Sequence, residues 1–230
     1  MSQFQAEYDA RLAELRANPP TGWAILNSMA FNDSGEHPFE WQDVECAFVA
    51  DVLYKYGCRK ILDVGSYRKF LLGLSASPNY DITSVEIRNV RNPVFEVKQI
   101  ISDIRDLTFN GEFDAVISLC TIEHIGLGRY GDEFDLNGDV KAVEVMKGAL
   151  AMGGLFIFSL PITNHLPTIV FNAHRIYNYS VVKEFCVGLE PIREFVWGIT
   201  LGREITQEEV TSTPSFFEVY CGVWRKAWSS

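Results

Sequence analysis

The sequence lacks the marks of several protein classes at once. No run reaches the roughly 18 apolar residues that a membrane-spanning helix needs; the longest, Gly153 to Leu160, has strand length. The opening MSQFQAEYDARLAELRANPP mixes polar and apolar residues and holds no continuous apolar segment of the kind a secretory signal carries. Five cysteines, Cys46, Cys58, Cys120, Cys186 and Cys221, are odd in number, far apart and without a CxxC pair. They fit reduced, mostly buried thiols in a cytoplasmic protein, not a disulfide framework. Neither a GxxxxGK phosphate loop nor a GxSxG nucleophile elbow occurs. Basic residues number 20 against 30 acidic and form no concentrated patch. The net charge of −10 therefore argues against a nucleic-acid partner.

What is present is the composition of a globular domain, 47% hydrophobic and 22% charged over 230 residues. Phe4, Tyr8, Leu12 and Leu15 predict an amphipathic helix that ends at Pro19-Pro20. Residues 18–38 read as a loop, and Glu40 to Tyr56 returns to helical spacing. From Lys60 short apolar runs alternate with helical patterns: 61–64, 70–76, 82–87, 95–101, 113–119, 140–150 and 155–160. Buried parallel strands joined by helices produce that rhythm. A helix at about 178–187 and strands at 192–197 and 216–224 follow, the last two joined by a polar segment, 202–213. The expected fold is an α/β Rossmann-like, doubly wound sheet, mostly parallel, with helices on both faces. Residues 1–59 read as an N-terminal helical extension, with the loop around Trp23 a candidate lid, and residues 60–230 as one cofactor-binding unit.

In such a sheet, ligands bind beyond the carboxyl ends of the strands. The first strand ends in Leu62-Asp63-Val64-Gly65-Ser66, where a glycine lets the backbone approach a ligand. Glu86 ends the second strand about 20 residues on, where an acid can accept both hydroxyls of an adenosine ribose. Asp103 follows the third and can accept from an adenine amino group, and Cys120-Thr121-Ile122-Glu123-His124 follows the fourth. A turn at Met152-Gly153-Gly154 leads into the fifth. Each signal alone also fits a helix cap or a turn; their succession along four strand ends is the stronger observation.

The segment from about Lys60 to Leu160 resembles a class I S-adenosylmethionine-dependent methyltransferase. LDVGS is similar to the first motif of that superfamily, SVEI to its acidic second motif and SDIRDL to its adenine-contacting third. FDAVISLCTIEHI resembles its fourth strand and ALAMGGLFIFSLP its helix, turn and fifth strand. EHIGLGRYGD, with GDVKA and FNAHRIY, also resembles a family of methyltransferase-like proteins. The resemblance implies a sheet of order 3-2-1-4-5-7-6 with one antiparallel C-terminal strand, and S-adenosyl-L-methionine as cofactor. It implies cofactor contacts from Asp63, Gly65, Ser66, Tyr67, Glu86, Ile87, Asp103, Ile104 and Cys120. Tyr67 and Lys69 stand where the superfamily usually has further glycines.

Methyl transfer to a hydroxyl or amine needs alignment and removal of a proton. His124, with an ordinary pKa near 6.5, is the candidate base, and Glu123 its neighbour. Arg129 and Tyr130 are candidate substrate contacts; Arg129 can bind an anion through its fork or pair with Asp132. His174 and Arg175 form a second cluster that reads equally as a helix start. No metal-ligand spacing appears, so no metal is expected. Gly126-x-Gly128-x-x-Gly131 is a literal GxGxxG, but it follows the fourth strand and not the first, so it reads as a loop former. The leading expectation is a cytoplasmic methyltransferase acting on a small polar metabolite, with a sugar in view. The alternative is a catalytically inactive binding or scaffold protein with a degenerate cofactor loop.

Overall fold

The computed structural model describes residues 3–22, 24–26, 39–89, 97–213 and 216–228. It forms two compact units, residues 1–38 and 39–230. In the first, α1 (Gln3–Ala17) buries none of its side chains and carries exposed pairs one turn apart, Arg11 on Glu7 among them. Trp23, of the expected lid loop, lies outside the described residues.

The second unit opens with α2 (Trp41–Tyr56). Glu40 and Asp43 cap it reciprocally, each side chain accepting from the other's backbone N–H. Gly57, at φ +65°, closes it in the left-handed conformation that glycine adopts without penalty. The expected extension ran to residue 59, but α2 packs on the sheet, so this unit begins at Phe39.

Five parallel strands follow: β1 (Lys60–Val64), β2 (Asp81–Glu86), β3 (Lys98–Ile101), β4 (Phe113–Leu119) and β5 (Leu150–Ile162). Between them lie α3 (Arg68–Ser75) and α4 (Gly138–Ala149). Beyond β5 come a hairpin of β6 (Thr168–Val170) and β7 (His174–Ile176), then α5 (Tyr179–Phe185), β8 (Leu189–Gly198), β9 (Arg203–Ile205) and β10 (Glu218–Lys226). The sheet order is β3-β2-β1-β4-β5-β10-β8-β9. β10 is antiparallel to both β5 and β8, and β9 adds a short antiparallel edge. With β8 and β10 as the sixth and seventh strands of that plan, this is the expected 3-2-1-4-5-7-6 order.

The continuous apolar runs arise because both faces of the sheet are covered. Leu62, Val64, Val116, Phe156 and Phe158 face α4 and α5 through Ala142, Met146 and Val182. The alternate residues Ile61, Ala115, Ile117 and Ile157 face α2 through Phe48, Val49, Val52 and Leu53. Each such side chain, fully buried, contributes about 1.5–3 kcal/mol.

Three details differ from the sequence reading. Met152 to Gly154 do not turn out of a helix; they bulge within β5, whose pairing jumps from Leu150 opposite Phe113 to Leu155 opposite Ala115. The polar segment 202–213 contains β9, and the FNAHRIY stretch forms the turn and second strand of the β6–β7 hairpin where a helix start is one reading. Among the described residues no helix is long and apolar enough to cross a membrane.

Candidate active site

A cavity of about 650 Å³ opens at the carboxyl ends of β1, β2 and β4. Of the residues expected at a site, Gly65, Ser66, Tyr67, Glu86, Ile87, Asp103, Ile104, Cys120, Glu123, His124, Tyr130 and His174 face it. Asp63, Arg129 and Arg175 do not line it.

The turn after β1 forms its floor. Gly65 sits at φ +69°, its N–H donating to the Val85 carbonyl (3.1 Å) and its carbonyl accepting from Thr121 Oγ1 (3.0 Å). A Cβ there would lie 2.5 Å from Thr121 Cγ2, so the turn admits only glycine. Ser66 Oγ accepts from the Leu119 N–H at 3.2 Å, tying the β1 and β4 ends together. Asp63 lies behind, wholly buried, and its Oδ2 accepts from Ser84 Oγ at 3.0 Å. Burial pushes its carboxyl up to about 7, against the pull of the Ser66 and Ser84 hydrogen bonds.

The two acids at the next strand ends are already paired. Glu86 accepts from Arg88 at its backbone N–H (3.0 Å), Nε (2.9 Å) and a terminal nitrogen (2.7 Å). Burial raises its pKa, but the Arg88 hydrogen bonds outweigh that and hold it below the usual carboxylate range. Asp103 caps the short helical turn Ile104–Asp106 and takes both Nε and a terminal nitrogen of Arg105, the latter at 2.6 Å. Its pKa is likewise low, burial being outweighed by Arg105.

Behind Tyr67 and Cys120 stands an acid the sequence did not single out. Glu45 of α2 is fully buried and accepts from Tyr67 Oη (3.0 Å) and from Cys120 Sγ (3.0 Å). Its helical position read as one more charge on an amphipathic face; only the fold brings it to the β4 end. Burial lifts its pKa, and the hydrogen bonds from Cys120, Ser159 and Tyr67 offset part of that. Cys120 itself adopts φ +43°, a strained conformation for a side-chain-bearing residue and one that gathers at functional sites. Burial and the charges of Glu123 and Glu45 keep its thiol protonated, so it offers no nucleophile. Glu123 is 2% exposed, its Oε2 has no partner, and burial with Glu45 nearby pushes it up to about 8.

His124 follows. Its Nδ1 lies 2.6 Å from the Ala173 carbonyl, which fixes the proton on Nδ1 and leaves the lone pair on Nε2. Nε2 is 3.7 Å from Glu123 Oε1, too far for a hydrogen bond. Burial, reinforced by the Arg129 and His174 charges, lowers its pKa to about 4, so the ring is neutral at pH 7 but a weaker base than its ordinary value suggests. Arg129 donates to the same Ala173 carbonyl at 2.9 Å and lies 5.2 Å from the centre of the Tyr130 ring, with Arg88 at 4.7 Å from it.

The loop carrying these residues is folded around Asp132, which accepts from the N–H groups of Gly126 (2.6 Å), Gly128 (3.3 Å) and Tyr130 (3.2 Å). Its three GxGxxG glycines all have positive φ, and a Cβ on Gly126 would collide with the Asp135 carbonyl. They shape the loop. Arg175, expected at the substrate, serves it from behind: it is buried, reaches Asp139 at 3.3 Å, and donates to the Ile125 (2.7 Å) and Leu136 (3.2 Å) carbonyls. His174, its neighbour on β7, points the other way as strand alternation requires, and faces the cavity.

The model of the family described as "Caenorhabditis protein of unknown function, DUF268" matches residues 81–226. No curated protein sequence matches the chain. Solved structures do. The 1,6-didemethyltoxoflavin-N1-methyltransferase of Burkholderia thailandensis, solved with 1,6-didemethyltoxoflavin and S-adenosylhomocysteine, aligns over 99% of this chain and 92% of its own, with TM-score 0.59 and 10% identity. The N-methyltransferase NodS of Bradyrhizobium japonicum WM9, with S-adenosylhomocysteine, aligns over 97% of each chain, with TM-score 0.53 and 13% identity. The [4+2]-cyclase SpnF aligns over 97% of this chain and 95% of its own, with TM-score 0.60 and 16% identity. At such identities the likeness is one of fold, and the fold is that of the class I S-adenosylmethionine-dependent methyltransferases.

Proposed function

The chain belongs to the DUF268 family, and we propose that it is an S-adenosylmethionine-dependent methyltransferase acting in the cytoplasm on a small polar metabolite, a sugar being the leading candidate. The observation that carries this reading is the cavity wall. It is largely apolar and carries a set of acceptors: Glu86, Asp103, and the Glu123 Oε2 and Gln42 amide oxygen, which have no partner among the described residues. That set suits a cofactor that brings a sulfonium, an ammonium, a ribose diol and an adenine amine. When bound, S-adenosylmethionine supplies an electrophilic methyl group.

The residues take the following parts. Gly65 and Ser66 accommodate the methionine end, with Asp63 and Cys120 behind and beside it. Glu86 accepts from the ribose hydroxyls while it retains Arg88, and Asp103 accepts from the adenine amine; Ile87 and Ile104 cover the ring. His124, its Nδ1 proton held on Ala173, takes the acceptor's proton at Nε2, and Glu123 lines the same pocket beside it. Tyr130 and His174 face the acceptor.

One observation favours a non-catalytic binding protein: Tyr67 lines the cavity where the superfamily usually has glycine. The SpnF cyclase is a reminder that this fold hosts other chemistry. Calorimetric titration with S-adenosylhomocysteine decides whether the cofactor binds. Heat that falls about tenfold in affinity with Glu86→Ala supports the assignment, and no heat with the unmutated chain removes it. Methyl transfer from labelled S-adenosylmethionine across a metabolite panel then separates enzyme from scaffold.

A further inference from the structure

The cavity is electrically two-sided. Acceptors line one part of it, whereas Arg88, His124 and His174 line another, and Arg129, just outside the lining, comes within 3.2 Å of His124 Nδ1 at the cavity's rim, called its mouth below. We propose that the acceptor bears an anionic group, a carboxylate or a phosphate, which binds at this mouth between Arg129 and His174, beside His124. The proposal rests on the methyltransferase reading and adds the class of acceptor to it.

Arg129 is the key residue. One of its terminal nitrogens is anchored on the Ala173 carbonyl, and its guanidinium shares the Tyr130 ring with Arg88. Its other terminal nitrogen and its Nε make no hydrogen bond to the described residues, and it has no carboxylate partner among them. The sequence offers Asp132 as that partner, yet no ion pair forms, because Asp132 spends its oxygens on three backbone N–H groups. The other acids nearby are also occupied or neutral. Glu86 holds Arg88 and Asp103 holds Arg105. Glu123, with a pKa of about 8, is mainly protonated at neutral pH.

His174 completes the arrangement. Its ring stands edge-on to His124 at 6.4 Å and to Phe217 at 5.5 Å, and its nitrogens make no hydrogen bond to the described residues. Burial and the Arg129 charge both lower its pKa. A fixed, half-satisfied guanidinium beside an unbonded imidazole recognises an anion with at least two oxygens. In a chain of net charge −10, the Arg129 charge, with no carboxylate partner among the described residues, also attracts such a ligand to the site.

The test is an NMR titration of the four histidine rings in the full-length protein at constant ionic strength. Sodium phosphate, sodium acetate and ethanolamine serve as probes, each with and without saturating S-adenosylhomocysteine. Phosphate or acetate is expected to move the His174 and His124 resonances and raise their titration midpoints, since a bound anion favours the protonated ring. Whichever anion binds more tightly identifies the group. Arg129→Gln is expected to weaken that binding about tenfold. Arg129→Lys, which keeps the charge without the fork, should fall between. Arg68→Gln, which removes a guanidinium elsewhere on the cavity with no ion pair among the described residues, should leave the histidine response intact. No histidine response to either anion, a response unchanged by Arg129→Gln, or a response to ethanolamine alone would overturn the proposal. S-adenosylhomocysteine binding, read calorimetrically in the same samples, keeps the two readings apart. Heat without an anion response sinks only the anionic acceptor, and an anion response without heat sinks only the methyltransferase.

Discussion

Tyr67 gives its hydroxyl hydrogen bond to Glu45 at 3.0 Å, so the residue that stands in place of a loop glycine is bound to α2 rather than loose in the cavity. Burial keeps both groups protonated-prone, each pKa lying above its ordinary value. Tyr67→Phe removes one donor from a buried carboxyl and should destabilise the protein by about 1–3 kcal/mol in urea unfolding. Affinity for S-adenosylhomocysteine should change little, because the ring itself remains.

Gly65 and Thr121 make a tighter pair. Gly65→Ala places a Cβ 2.5 Å from Thr121 Cγ2 at a φ of +69°. Cofactor affinity should drop by at least about tenfold, with a loss of stability of about 2 kcal/mol or more. Thr121→Ser deletes the colliding methyl and keeps the hydroxyl that holds the Gly65 carbonyl. The double variant should therefore recover part of the loss and not all of it, since the backbone strain persists.

The buried carboxyls predict a dependence on pH with a definite sign. Asp63 and Glu123 are raised to about 7 and about 8 in the folded chain, so the folded state holds more protons than the unfolded one above the ordinary carboxylate range. Their contribution is full at low pH and is lost as pH rises through 7 and 8. His124, lowered to about 4, acts oppositely, adding stability as pH rises from 4 to its ordinary value near 6.5. Urea midpoints should thus fall from about pH 4.5 to about 8, most steeply near 6.5–7 where the His124 gain has ended, and level off above that; Glu123→Gln should remove the part of the fall between 7 and 8.

Arg175 supports the loop that presents His124. Arg175→Met leaves Asp139 buried opposite Tyr177 without its cation and should cost about 3–5 kcal/mol in urea unfolding. Arg175→Lys should rescue only part of this, because an ammonium has no fork to span the Ile125 and Leu136 carbonyls.

The sheet was legible because two-sided burial writes itself as apolar runs: 113–119 was read to the residue, and β1, β2 and β10 to within two. The short strands β6, β7 and β9, three residues each, carry no periodicity long enough to register. Strand ends exposed the residues facing the cavity, since position after a strand fixes placement. They did not expose pairing. Arg88 on Glu86 and Arg105 on Asp103 are local bonds that two-residue spacing permits but does not announce. Arg175 reads from the sequence as a substrate contact, but it lies on a strand of three residues, too short to show a period, where neighbours face oppositely. Glu45 stayed hidden because its partners lie 22 and 75 residues away.

The placement of β10 also bears on how the chain comes to be folded. Residues 218–226 lie between β5 and β8 and hydrogen-bond to both. Until they leave the ribosome, β5 presents an open edge of apolar residues and the β8–β9 ribbon has no sheet to join. Anything that withdraws this one strand therefore opens two edges at once, each able to pair with a foreign strand.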